Sequence, residues 1–200
     1  ALVDALADLH RVDVTAHELD ALGRPAGFVE RQVRGWTERW QASRTSPIPD
    51  MEAAAEWLRA YLPRDPPSPS IVHGDFKLDN VMLDASHPAR IVAVLDWEMA
   101  AIGDPLADVG NLLTYWAPTS PPPASGAVDL VTTRPGWPTR DDIVARYAER
   151  TGRSMAAIGF YEVFGRFKVA VVVQQIFQRY ATGRTDDPRF AAFDARVAYL

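Results

Sequence analysis

Two short segments of this 200-residue chain carry residue types that together could move a phosphoryl group. The first runs His73-Gly74-Asp75-Phe76-Lys77-Leu78-Asp79-Asn80, and the second Val94-Leu95-Asp96-Trp97-Glu98. Each follows a β-rich apolar run, Ile71-Val72 or Ile91-Val92-Ala93-Val94, so each is expected where a strand ends and side chains can reach out of a sheet. Asp75 can there orient an attacking hydroxyl and accept its proton, work typically valued at about 10²–10⁴-fold in rate. Asn80 offers a hard neutral oxygen, and Asp96, placed straight after what reads as a buried strand, offers an anionic one. Both are donors suited to Mg²⁺ beside nucleotide phosphates. Lys77 could set a positive charge on the transferring group. Asp75 and Lys77 are therefore the candidate catalytic residues, and Asn80 and Asp96 the candidate metal ligands. Taken singly, these residues are a turn-capping aspartate, an exposed loop lysine and an Asx turn. The two segments in this order make the joint reading the stronger one.

Other polar residues read as support. His73, in the strand before the loop, is expected to hold the loop's shape through backbone hydrogen bonds, and His10 to be a satisfied core histidine. A zinc site built on His73 and Asp75 has no recognised ligand spacing behind it. Asp104 and Asp108 flank a helix start, where they can cap free amides or brace the loop. Glu98 reads equally as a residue that tunes the metal site and as a solvated glutamate.

The elements that must position these residues follow from periodicity. Residues 1–12 read as an amphipathic helix. A second helix aligns Phe28, Val33, Trp36 and Trp40, and a third spans about 50–62 with Asp50 as N-cap. Prolines at 63, 66, 67 and 69 lead into β runs at 70–73, 81–84 and 90–95. A helix at about 105–117 follows, then an irregular stretch over 118–138 that suits a lid or binding segment. Thr139-x-x-Asp142 is a capping-box start with Gly152 as stop. A long helix over 154–182 stops at Gly183, its Phe160, Phe164, Phe167, Val171, Gln174 and Phe177 falling at core spacing, and a last helix covers 187–200.

Bulk properties bound the function. With 48% apolar and 24% charged residues the chain is globular, and a single domain over 1–200 is expected. A net charge of −5 without a basic stripe argues against nucleic-acid binding. The absence of cysteine excludes disulfides and thiolate metal sites. No apolar run approaches the roughly 20 residues of a membrane span, so no membrane partner is expected and a cytoplasmic location is the default. Opening on Ala1 with Leu2, Val3, Leu6 and Leu9 already in helical register, the sequence reads as a piece of a larger protein.

The His-x-Asp-x-Lys-x-x-Asn run keeps the Asp-to-Asn spacing of the kinase catalytic loop, and Asp96 stands where the kinase metal-binding aspartate stands. With Asp96-Trp97-Glu98-Met99-Ala100, Gly103-Asp104-Pro105-Leu106-Ala107-Asp108 and the late stretch from Tyr161-Glu162 through Gln174-Gln175-Ile176 to Arg179-Tyr180, the whole chain resembles a known family. This is the aminoglycoside phosphotransferase-like, or choline-kinase-like, small-molecule kinases, and within it the kinase-like domains fused to acyl-CoA dehydrogenases.

The resemblance implies an α+β, mostly helical fold, the C-terminal lobe of a protein-kinase-like fold with a small β-hairpin region carrying the catalytic loop. It implies Asp75 as base, Asn80 and Asp96 as Mg²⁺ ligands, ATP as co-substrate and a hydroxylated small molecule, better a hydroxyacyl-CoA than an aminoglycoside, as acceptor. The 118–138 segment agrees faintly, since its one acid, Asp129, is few for a polycation. Nothing before Ile71 reads as the β-rich nucleotide lobe of a kinase, so weak or no ATP binding is expected of these residues alone. A noncatalytic kinase-like binding module and an aminoglycoside kinase stay open as alternatives. A protein kinase is disfavoured, because no activation-segment signature follows Asp96.

Overall fold

The structure, a computed structural model, describes residues 1–116 and 130–200, the side chain of Asp20 apart. Its helices are α1 (Leu2–Leu9), α2 (Phe28–Ser43), α3 (Pro49–Ala60), α4 (Leu106–Thr114), α5 (Arg140–Thr151), α6 (Ile158–Ala181) and α7 (Phe193–Tyr199). Its strands are β1 (Ser70–Val72), β2 (Val81–Leu83), β3 (Ile91–Val94) and β4 (Ala101–Gly103). The described residues are mostly helical, as the sequence implies, with two small antiparallel sheets.

Helix α6 organises the core. Phe160, Phe164, Phe167, Val171 and Gln174, spaced alternately four and three residues apart, lie buried along it, and α2, α3, α4 and α7 pack against it. Gln174 is buried by design of its partners: its amide donates to Ser43 O at 3.0 Å and Thr45 Oγ1 at 3.1 Å, tying α6 to the end of α2. The tightest crossing is with α4. A Cβ built on Gly110 would stand 2.1 Å from Tyr161 O, and one on Gly165 would stand 2.6 Å from Gly110 O. Two glycines facing each other thus let the two backbones touch. The capping box at Thr139 and Asp142 forms as expected, and Gly152 closes α5 in the left-handed region at φ +69°.

Several expectations are corrected. Helix α1 stops at Leu9 because His10, its C-cap, turns inward to polar partners. Helix α3 is capped by Ile48, and Pro49 takes the first turn, where its missing N–H costs nothing. The expected helix over 187–200 is broken: Pro188 starts a short 3-10 turn to Phe190, with Asp187 accepting from Arg189 N, and α7 follows. Strand β4 was not expected; three residues are too few to show alternation, and only pairing with β1 (Ser70 opposite Gly103, Val72 opposite Ala101) makes them a strand.

The hairpin expectation also changes. Strands β2 and β3 pair as a hairpin, but the 73–80 loop lies outside it and carries the chain from the β1–β4 sheet to the β2–β3 sheet. Strand β3 is not buried: Val92 is exposed and its neighbours are half-buried, because one face of a two-stranded hairpin is left uncovered. Residues 117–129, with Asp129, lie outside the described residues, and so does most of the expected 118–138 segment. Beyond them, Val131–Thr133 forms a 3-10 turn, and the Trp137 ring packs edge-on against Trp116 at 5.5 Å.

The Gly110–Gly165 crossing yields a prediction. Gly110→Ala should destabilise the chain by roughly 1–3 kcal/mol through overpacking, despite the better helix propensity of alanine. Urea denaturation would measure it, and wild-type stability would show that α4 and α6 cross less closely.

Candidate functional site

The carboxylate of Asp108, on the first turn of α4 and fully buried, holds the loop from beneath. It accepts from His73 N at 2.6 Å and Gly74 N at 2.8 Å, and from His10 Nε2 at 3.2 Å. His10 Nδ1 in turn faces the Tyr147 hydroxyl at 2.6 Å. Gly74 is forced by geometry: its φ is +83°, and a Cβ there would meet Met99 O at 2.7 Å. Phe76, fully buried, anchors the loop's far side in the core.

His73 works as the sequence suggests. Its Nδ1 accepts from Asp75 N at 3.2 Å and its Nε2 donates to Leu95 O at 2.8 Å, so the network puts the ring proton on Nε2. Leu95 N donates to Asn80 O at 2.8 Å. Leu95 is thus held at both ends by the first segment, and Asp96 is the next residue. The two segments that sequence alone could only juxtapose are joined by one backbone hydrogen bond and one from the His73 ring.

Asp75 lies at the centre of a polar cluster. Its Oδ2 accepts from Lys77 Nζ at 2.5 Å and Asn80 Nδ2 at 3.2 Å, and its Oδ1 from Asn111 Nδ2 at 3.4 Å. Asp75 and Lys77 are each 19% exposed, open enough to meet a ligand. Burial works against the charge of Lys77, yet the hydrogen bond it donates to Asp75 and neighbouring charges outweigh it and hold the ammonium above its ordinary range. Asn80 also donates from Nδ2 to Asp75 O at 2.8 Å. With the amide nitrogen so committed, Oδ1 is the atom left to face a ligand.

Asp96 differs from the others. It is exposed, takes a left-handed backbone (φ +66°) that few non-glycine residues adopt, and has no hydrogen-bond or ion-pair partner among the described residues. Such a conformation costs on the order of 1–2 kcal/mol and is common where function demands it. Glu98, two residues on, is exposed as well.

Two residues escaped the sequence reading. Lys168, from the middle of α6, is buried and donates to Gly74 O, with its ammonium 5.4 Å from the centre of the Trp36 ring. Burial lowers its pKa, against the pull of the Asp75 and Asp108 charges. A lysine inside an otherwise apolar helical stripe was the available signal. Asn111, on α4, donates from Nδ2 to Asp75 Oδ1, while its buried Oδ1 has no hydrogen-bond partner. Asp104 does cap α4 through Leu106 N at 2.9 Å, and also accepts from the Tyr161 hydroxyl at 2.6 Å. Burial raises the pKa of Asp104 in spite of those bonds and raises that of Tyr161 as well.

A wide cleft of about 1220 Å³ lies elsewhere, between the prolines before β1 and Asp104, and touches none of Asp75, Lys77, Asn80 and Asp96. The polar groups that the sequence singles out converge away from that cleft.

A model of the APH phosphotransferase enzyme family matches residues 1–143, a stretch that contains both segments. The chain belongs to this family. Mouse acyl-CoA dehydrogenase family member 10 is 38% identical over 188 residues, covering 92% of this chain and 17% of that protein. Human acyl-CoA dehydrogenase family member 11 is 33% identical, covering 92% and 24%. The chain therefore spans a quarter or less of these relatives. Among solved structures, a candidate aminoglycoside phosphotransferase from Ralstonia eutropha superposes with a TM-score of 0.84 at 31% identity, covering 99% of this chain and 62% of that one. Macrolide 2'-phosphotransferase MphH from Brachybacterium faecium, at 19% identity and a TM-score of 0.57, shares the fold. The fold is thus the kinase-like one of APH phosphotransferases. No helix among the described residues is long and apolar enough to cross a membrane.

In this APH-family chain, Asp108 is the group on which the loop's shape rests. Asp108→Ala would strand two buried amides and His10, and should cost roughly 3 kcal/mol or more of stability by chemical denaturation. A loss below about 1 kcal/mol would show that the loop is held by other contacts.

Proposed function

We propose that this chain carries the catalytic residues of an ATP- and Mg²⁺-dependent small-molecule kinase that phosphorylates a hydroxyl. The observation that carries this reading is the convergence of Lys77, Asn80 and Asn111 on Asp75, with Asp96 attached to the same loop through Leu95. Membership of a phosphotransferase family supports it.

In this reading Asp75 orients the acceptor hydroxyl and takes its proton as the oxygen bonds to the γ-phosphorus and the bond to ADP breaks. Asn80 and Asn111 fix the rotamer of Asp75, while Lys77 supplies positive charge beside the transferring group. The donor set fits a magnesium ion: Asn80 keeps a free amide oxygen and Asp96 an unpaired carboxylate, the one or two protein oxygens Mg²⁺ takes when phosphates complete its shell. When bound, the ion neutralises charge on the nucleotide phosphates. An unpaired carboxylate in a strained backbone conformation has no evident structural purpose, which favours a ligand role for Asp96.

The acceptor we favour is a hydroxylated acyl thioester. Its support is that relatives carrying this segment are named acyl-CoA dehydrogenases. A macromolecular or membrane partner is not part of the reading, and a cytoplasmic location remains its default.

In a protein joining these residues to an upstream nucleotide lobe, Asp75→Asn should lower kcat about 10²–10⁴-fold with MgATP affinity kept. Unchanged turnover would reject Asp75 as base, and binding without any turnover by the unsubstituted protein would establish the noncatalytic alternative. Calorimetric titration of MgATP into residues 1–200, beside Asp96→Ala, tests the metal assignment. We expect weak binding that the substitution abolishes; binding indifferent to it would remove Asp96 from the site.

A further inference from the structure

A second, smaller pocket shares Tyr115 with the catalytic cluster. Lys77 Nζ, bonded to Asp75, sits 4.9 Å from the centre of the Tyr115 ring, and Tyr115 also lines the pocket, beside Arg140, Arg166, Val169 and Arg196. Among the described residues, three arginines and no aspartate or glutamate side chain line this pocket. Their charges are not equally matched. Arg140 is buried, donates to Leu113 O and pairs with Glu162 at 3.0 Å. Arg166 on α6 and Arg196 on α7 have no acidic partner among the described residues. The Nε of Arg196 is buried without a hydrogen-bond acceptor, a state that costs free energy until an acceptor arrives. The Phe193 ring lies 5.7 Å from its guanidinium carbon.

We propose that Arg166 and Arg196 bind an anionic group of the acceptor, a carboxylate or a phosphate, while the acceptor's hydroxyl lies at Asp75. The proposal rests on the reading of Asp75 given above. A planar guanidinium fork matches both groups, and an acceptor oxygen at Arg196 Nε would satisfy the orphaned donor. The pocket holds about 80 Å³, room for such a group and not for a whole acceptor, whose remainder must extend past Tyr115 toward Asp75. The same charges repel a polycationic acceptor, so the pocket selects against aminoglycosides by its electrostatics.

The test is titration calorimetry on the 200-residue chain with three probes of similar reach: glycerol 3-phosphate, 4-hydroxybutyrate and the neutral 1,4-butanediol. We expect at least one anionic probe to bind, more weakly as salt is raised, and the diol not to bind. Arg166→Gln with Arg196→Gln should weaken the anion by about tenfold or more. Arg166→Gln alone, at an exposed position, should give part of that loss without risk to the fold. Preference for glycerol 3-phosphate would identify the phosphate as the group read, and preference for 4-hydroxybutyrate the carboxylate. Equal binding of diol and anions, no binding of either anion, or anion binding unchanged in the double variant would each overturn the proposal. The readout is binding and not turnover, so the Asp75→Asn kinetics and this titration can fail independently.

Discussion

The Asp108 carboxylate is the interaction on which the rest of the site depends. Fully buried at the start of α4, it receives the amides of His73 and Gly74 and the ring of His10. A buried charge is tolerable only when its lone pairs are filled, and the loop amides fill them. The exchange is mutual, because those amides leave β1 where no strand continues to pair them. One carboxylate thereby fixes where the loop begins, and from that start the positive φ of Gly74 turns Asp75 outward while Phe76 returns to the core.

The site's second requirement is registry between two sheets. Asp75 leaves the β1–β4 sheet and Asp96 leaves β3 of the other, so their relation is not set by either ladder alone. Leu95 sets it, with its amide on Asn80 and its carbonyl on His73. Hydrogen bonds are short and directional, and these two, one from the backbone and one from the His73 ring, fix the spacing. Lys168 reaches the same loop from α6, donating to Gly74 O with its ammonium 5.4 Å from the centre of the Trp36 ring.

Charge also organises the acceptor side. Around Asp75 the protein balances its carboxylate with Lys77 and amide donors, whereas beyond Tyr115 two guanidinium groups stand without a counter-charge among the described residues. An uncompensated pair of arginines is unfavourable in isolation and becomes favourable with an anion between them. That asymmetry fits an anionic acceptor better than a cationic one.

The sequence by itself determined the chemistry-bearing residues and most of the helices. Asp75, Lys77 and Asn80 lie within six residues of one another, so local spacing was enough to group them, and periodicity located α2, α4, α5 and α6 because each buries one face. The α5 cap was legible for the same reason, being a contact over three residues. Tertiary structure decided what no local pattern carries. It paired Ala101–Gly103 with β1, left β3 half-exposed, broke the last helix at Pro188, and brought Asn111 and Lys168 to a loop from which they are 36 and 94 residues distant in sequence. Those contacts depend on the α4–α6 crossing, where two glycines let the backbones touch, and close packing between distant segments has no period that a single sequence can display.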